Sequence, residues 1–293
     1  MLGMGNCPRQ QADPGIGIAL RPCVVRGAPW TLDSQNKPVD GSGSATVDAR
    51  TIELIDATTA IWQPGAGIGF YLAPINFNGA HVPIIEDPYP PGTSSDIDPN
   101  GGPRKLGDIE QEDDRTSAES ELVVQECNAA WGQQFPSPQP GIPVVIAANL
   151  VRRDGGFQQK AGFSPPIISI YLRNDGKDIC DLPRNLTRED VNNRYVILSA
   201  KSDSAQLPLA HTLAHEIGHV FLLNHGDGVD NDNNGRWDAG CDQMEYDTFE
   251  DGIDIDHQSL MNVTPFVTTI TPLQRQLART SALLIDGAIS LWQ

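Results

Sequence analysis

Long apolar runs are what this sequence most clearly lacks. No stretch approaches the roughly 20 apolar residues that cross a bilayer, so a membrane is not expected as a partner. The first 25 residues also lack the apolar core of a secretory signal, because Ile16–Leu20 is the only such run there. The expectation is a chain that is not exported by that route, or one whose leader has been replaced. Aromatics are scarce at 6%, and basic residues are outnumbered, with Lys and Arg totalling 20 against 38 Asp and Glu. The resulting formal net charge of -18 argues against nucleic acid and anionic lipid surfaces. Cysteine is sparse and irregular: Cys7, Cys23, Cys127, Cys180 and Cys241 include no CxxC. A Cys180–Cys241 bridge is conceivable in an oxidising compartment, Cys23 reads as an ordinary strand cysteine, and one sequence leaves the connectivity open.

What the 293 residues do contain is 39% hydrophobic residues with 28 Gly and 23 Pro, a globular but loop-rich composition. Residues 16–26 read as a strand that Pro22 would confine to an edge or a bulge. Residues 47–62 have helical spacing that Pro64 should stop, and Ile68–Ala73 is a short β-type run. From Pro74 to about Thr116 the Pro, Gly and Asp content suggests a long surface insertion. Residues 117–134 look helical, and Ile142–Ala147, Ile167–Leu172 and Tyr195–Ser199 look like strands. A helix begins near Pro208, and a last one, opened by Thr271-Pro272-Leu273-Gln274, should run to Trp292. The expected fold class is α/β (α+β) in a single domain, 1–293. Its sheet would be a twisted mixed one of about five strands, accompanied by the 208–224 helix and a C-terminal helix.

The chemistry concentrates in His215-Glu216-Ile217-Gly218-His219, an HExxH pattern on that helix. Residues four apart stack on one helical face. Two imidazoles can therefore converge on one tetrahedral metal at about 2.0–2.1 Å, while the glutamate reaches a water beside it. The other faces carry Leu213, Ile217, Val220 and Phe221, and a polar His-Glu-His set on so apolar a helix needs a partner to justify its burial. His211 shares the face but sits roughly 12 Å along the axis from His219, too far to join the site. His225 follows His219 by six residues, an offset of about 240° on an unbroken helix. It can join the site only if the helix ends first, and the sequence from Asn224 to Gly228 offers residues that turn a chain back.

HExxH with a third histidine six residues on resembles the metzincin clan of zinc endopeptidases, whose motif is HExxHxxGxxH. Ser259-Leu260-Met261-Asn262 looks like that clan's Met-turn. The resemblance implies zinc ligation by His215, His219 and His225, Glu216 as general base, and Met261 as the apolar floor. It implies an N-terminal subdomain of about 16–224, with the insertion at about 74–116, and a C-terminal subdomain of about 225–293. In that family the fourth strand is a cleft edge that pairs with extended substrate, and Ile167–Leu172 would match it. Two positions depart from the pattern: the family glycine is Leu222, and the tyrosine of some subfamilies is Val263. A leucine resists a positive backbone angle, so the turn should be made elsewhere, at Asn224.

Directly after His225, Asp230, Asp232, Asn234, Gly235 and Asp238 fall at positions 1, 3, 5, 6 and 9 of an EF-hand-type loop. The Arg236 carbonyl would be the seventh-position ligand, and Cys241 stands where a bidentate Glu is expected. A calcium ion is thus expected there, fixing the loop that returns His225. The function expected is zinc-dependent hydrolysis of internal peptide bonds in a protein or peptide substrate, outside the cell, by a water that Glu216 activates. His257 reads as an exposed loop histidine, with an oxyanion helper as the alternative. Rivals are a gluzincin-like site completed by Glu245 or Glu250, an amidase, or a metal-stabilised binding protein without catalysis.

Overall fold

The structure, a computed structural model, describes residues 15–31, 45–73, 80–88, 105–111, 117–135, 139–152, 161–165, 188–202, 208–223, 228–229, 243–244, 260–261, 268–270 and 272–291. In chain order the elements are β1 (Gly15–Val25), α1 (Ala45–Ala66), β2 (Ile68–Leu72), β3 (Ile84–Ile85), β4 (Asp108–Gln111) and α2 (Ala118–Gln134). They continue with β5 (Ile142–Ala147), β6 (Asn149–Arg152), β7 (Gly162–Phe163), α3 (Arg188–Asn192), β8 (Val196–Ser199) and α4 (Leu209–Val220). The last are β9 (Gly228–Val229), β10 (Gln243–Met244), α5 (Pro272–Ala282) and β11 (Ile289–Leu291).

The architecture is mixed α/β around one mixed sheet. Strands β2, β1, β5 and β8 run parallel in that order, and β7 closes the far edge antiparallel to β8. Among the described residues the sheet has seven strands rather than about five, because two short pieces extend its centre. β3 pairs with the end of β1, and β11 lies antiparallel to its start. Side chains alternate between two cores, as a pleated strand requires. Ile142, Val144 and Ile146 of β5 face α1, α4 and α5, whereas Val145 and Ala147 face α2.

Several elements depart from the sequence expectation for identifiable reasons. β1 is central, not an edge, although it carries Pro22. Ile16 and Val24 donate to Gly67 and Pro83, on the side of β2 and β3. Pro22 has the same parity, so it faces the gap between those two strands, where no ladder bond needs its missing N–H. Its carbonyl accepts instead from Trp131 Nε1 at 2.9 Å. Pro64 does not stop α1, which absorbs it in its last turn and ends at Gly67, φ +67. Arg279 Nη1 caps that end by donating to Ala66 O at 2.8 Å. α5 ends at Ala282 rather than Trp292, since Gly287 at φ +80 turns the chain into β11. The stretch read as an insertion contributes β3 and β4, the latter paired with β6 and burying Ile109. Residues 167–172 lie outside the described residues; the antiparallel edge strand is 162–163.

Cys23 is not an ordinary strand cysteine. It is bonded to Cys127, fastening β1 to α2 across 104 residues of sequence. Cys180 and Cys241 lie outside the described residues. No helix among the described residues is long and apolar enough to cross a membrane.

Candidate metal centre

α4 carries the HExxH pattern and is embedded in the larger core. Leu213, Ala214, Ile217, Val220 and Phe221 are fully buried. Phe221 meets Trp62 edge-on at 5.2 Å between ring centroids and stacks on Phe70 at 6.4 Å. Trp62 Nε1 also donates to the Ala214 carbonyl at 3.1 Å, so α1 fixes α4 by its backbone as well as by packing. With those faces committed to the core, His215 and His219 share the remaining face, their rings 4.9 Å apart and nearly perpendicular.

Each histidine is oriented by a main-chain carbonyl. His215 Nδ1 lies 2.9 Å from Leu260 O, and His219 Nδ1 lies 2.9 Å from Leu223 O. A carbonyl only accepts, so each Nδ1 carries a proton, and in the neutral form of such a ring the lone pair is on Nε2. That is how metal-binding histidines are commonly set: the ring nitrogen away from the metal donates to a carbonyl or carboxylate, fixing tautomer and ring angle.

Both carbonyls come from turns, and each turn has a specific cause. Leu260 precedes Met261, whose side chain is fully buried directly against Gly218. A Cβ on Gly218 would overlap Met261 Sδ, so the glycine between the two histidines is what lets this turn sit under the helix. Leu223 follows Leu222, which adopts φ +68. The turn is therefore made at Leu222 itself, against the expectation that it would be made at Asn224. Leu222 N–H donates to His219 O and Leu223 N–H to Gly218 O, the paired bonds of a Schellman helix end. Left-handed backbone costs a non-glycine residue roughly 1–2 kcal/mol. Leu222 is 1% exposed, and full burial of such a side chain contributes about 1.5–3 kcal/mol, enough to offset the strain.

Glu216 is 8% exposed and faces the edge strand. A Cβ built on Gly162 would lie 2.7 Å from Glu216 Cγ and 2.8 Å from its Oε1. Only glycine lets the β7 backbone approach the carboxylate so closely. The helix end is further secured by Arg194 Nη1, which donates to His219 O at 3.2 Å, and by Ser281 Oγ, which donates to Phe221 O at 2.9 Å. Gly162, Arg194 and Trp62 were not singled out from the sequence. Each matters through a backbone approach between distant segments, which no local pattern announces.

The structure thus brings together His215, Glu216, His219 and Met261. His225, the acidic-loop residues Asp230, Asp232, Asn234, Arg236 and Asp238, and the rival ligands Glu245 and Glu250 lie outside the described residues, as does His257. Val229 and Gln243, which flank the acidic loop, are paired in the β9–β10 ladder, so the loop is closed at its base. Among the described residues no three His, Cys, Asp or Glu side chains gather round a common point. Two imidazoles with Nε2 lone pairs, on one face beside a buried carboxylate, fit two ligands and a base of a zinc site. No protein-family model matches this chain, and no curated protein matches it either.

Proposed function

We propose that this protein is a zinc-dependent endopeptidase in which His215, His219 and His225 hold the metal and Glu216 is the general base. The observation that carries the reading is the pair of bonds from His215 and His219 Nδ1 to the Leu260 and Leu223 carbonyls, which supports Nε2 of each ring as the nitrogen turned to a metal. Support also comes from Met261 beneath Gly218 and from the left-handed turn at Leu222, the position where metzincins have glycine. The antiparallel edge strand beside Glu216 is a further point of likeness.

Zinc in this position would polarise a scissile carbonyl and make water more acidic near neutral pH. Glu216 takes the proton from the attacking water and passes it to the leaving amine. The low exposure of Glu216 limits competing solvent around that proton transfer. Among the described residues β7 is the last strand in the sheet order, and the outer edge of such a strand can accept an extended peptide by main-chain pairing. The substrate is accordingly a protein or peptide in extended form.

Calcium is proposed for the segment containing Asp230, Asp232, Asn234, Arg236 and Asp238, and the pairing of Val229 with Gln243 on either side of it supports that reading. An extracellular location fits the Cys23–Cys127 bridge, since disulfides persist in oxidising compartments. The test is metal content and peptide hydrolysis in the full chain and in Glu216→Gln. Stoichiometric zinc in both, with activity lower in the variant by about 10²–10⁴-fold, is expected. Full activity in Glu216→Gln overturns the mechanism, and absence of zinc from the parent chain overturns the reading.

A further inference from the structure

We propose that Arg194 is a positioning residue for this hydrolysis, holding the edge strand and the end of the metal helix at a fixed separation. The proposal rests on the zinc-peptidase reading above. Arg194 immediately precedes Tyr195 and β8 and is 5% exposed. Its Nη1 donates to Pro165 O at 2.6 Å and to His219 O at 3.2 Å. Pro165 lies two residues beyond β7, and His219 is the second proposed ligand. One guanidinium nitrogen therefore spans the backbones of the two elements between which a substrate strand and the metal would meet.

The bridge matters because, among the described residues, the ladder that holds β7 is short. Its ladder to β8 consists of Gly162 opposite Leu198 and Phe163 opposite Ile197. So short a ladder fixes the height of the strand but not its tilt toward α4. Gly162 sits against Glu216 and Thr212 at one end of the segment. Arg194 secures the other end at Pro165, giving the segment two anchors on the same helix. The chemistry suits arginine in particular. A guanidinium stays charged when buried and offers two hydrogens on each terminal nitrogen. A cation at a helix C-terminus is further favoured by the exposed carbonyl dipoles. A lysine would bring an ammonium one atom shorter in reach, unable to satisfy both carbonyls at these positions without moving one of them.

Because His219 O belongs to the ligand residue itself, loss of the bridge should alter metal binding as well as substrate binding. The experiment compares the parent chain with Arg194→Met, Arg194→Lys and Arg279→Met, all in the full chain. Arg279→Met is the matched control: it removes a guanidinium from another helix end, at Ala66 O of α1, away from β7. Zinc affinity is measured by chelator competition, KM and kcat on a peptide substrate, and the thermal midpoint in parallel. Arg194→Met is expected to weaken zinc about 10–100-fold and to raise KM, with Arg194→Lys intermediate. Arg279→Met should lower the thermal midpoint while zinc affinity and KM stay at parent values. Parent-like zinc affinity and KM in folded Arg194→Met overturn the proposal, as does an equal change in Arg279→Met. Should Arg194→Met fail to fold, Arg194→Lys decides: parent-like zinc affinity and KM in it are equally fatal. A parent chain that takes up no zinc and cuts no peptide removes the underlying reading instead, a result distinct from a functional parent with an indifferent Arg194.

Discussion

On one face of the sheet, α1, α4 and α5 share a core built around Trp62 and Phe221. On the other, α2 packs with Ile109 of β4 and Leu150 of β6 over Val25, Val145 and Ile197. The first face is secured by side chains that seek out backbone carbonyls at helix ends and turns: Trp62 on Ala214, Arg194 on His219, Ser281 on Phe221, Arg279 on Ala66. The second is secured covalently, by Cys23–Cys127, with the Trp131 indole bonded to Pro22 O beside it. The carbonyl bonds on the helix-rich face tie particular residues to one another. The cross-link on the α2 face constrains the chain as a whole. The two faces thus rely on different devices, and the loss of one carbonyl bond should act locally where the loss of the cross-link acts on the whole chain.

The largest expected effect is on the α2 face. Replacing both Cys23 and Cys127 by alanine frees a loop spanning 104 residues of sequence, which in the chain-entropy account costs about 4–5 kcal/mol. Denaturant midpoints should fall accordingly, while zinc affinity of the folded fraction stays at the parent value. A loss of zinc binding parallel to the loss of stability would break the division between the faces. Next in size is Leu222→Gly on the other face. Glycine relieves the φ +68 strain, about 1–2 kcal/mol, but removal of a buried leucine side chain costs about 2.7–5 kcal/mol. The sum is a net destabilisation of about 2 kcal/mol in urea titrations, with zinc binding retained because the turn geometry is preserved. A stabilised Leu222→Gly would mean that strain outweighs burial at this turn.

The smallest effect is confined to alkaline pH. Burial on the α2 face pushes the Tyr195 hydroxyl up to about 12, with a hydrogen bond between it and Ser120 opposing the rise and Glu121 adding to it. The folded state therefore keeps the proton between pH 10 and 12 while the unfolded chain loses it. Stability from this group is present below pH 10 and declines as pH rises toward 12, by about 2 kcal/mol in total. Unfolding free energies measured from pH 9 to 12 should show that decline in the parent and not in Tyr195→Phe. Identical slopes in the two proteins would remove Tyr195 from the account.

The legibility of the molecule in its sequence follows the range of the interactions. His215, Glu216 and His219 could be found because four-residue spacing and the apolar remainder of α4 are local properties. β5, β8 and α2 were legible for the same reason. Pro22 misled because the rule that confines proline to edges assumes a ladder bond at every residue of a central strand. The gap between β2 and β3 suspends that requirement, and it arises from partners some 50 and 60 residues downstream. Leu222 misled because backbone preference was judged without the burial that offsets it. Arg194 and Gly162 were invisible, since each acts on a segment that is adjacent only after folding.

The pairing of β11 with the start of β1 carries a consequence for the order of events in folding. Gly15 lies opposite Leu291, so the strand at the centre of the sheet is completed by the last strand described. Contacts between segments so far apart in sequence close late, because the whole intervening loop must be gathered first. The same late segment supplies the caps on Ala66 and Phe221. A ribosome adding about 5–20 residues per second would therefore expose α4 before Ser281, one of the two side chains that fix its end, exists. Hydrolytic competence, on the proposed reading, would be delayed until synthesis has passed β11, so a nascent chain would have little capacity to cut its neighbours.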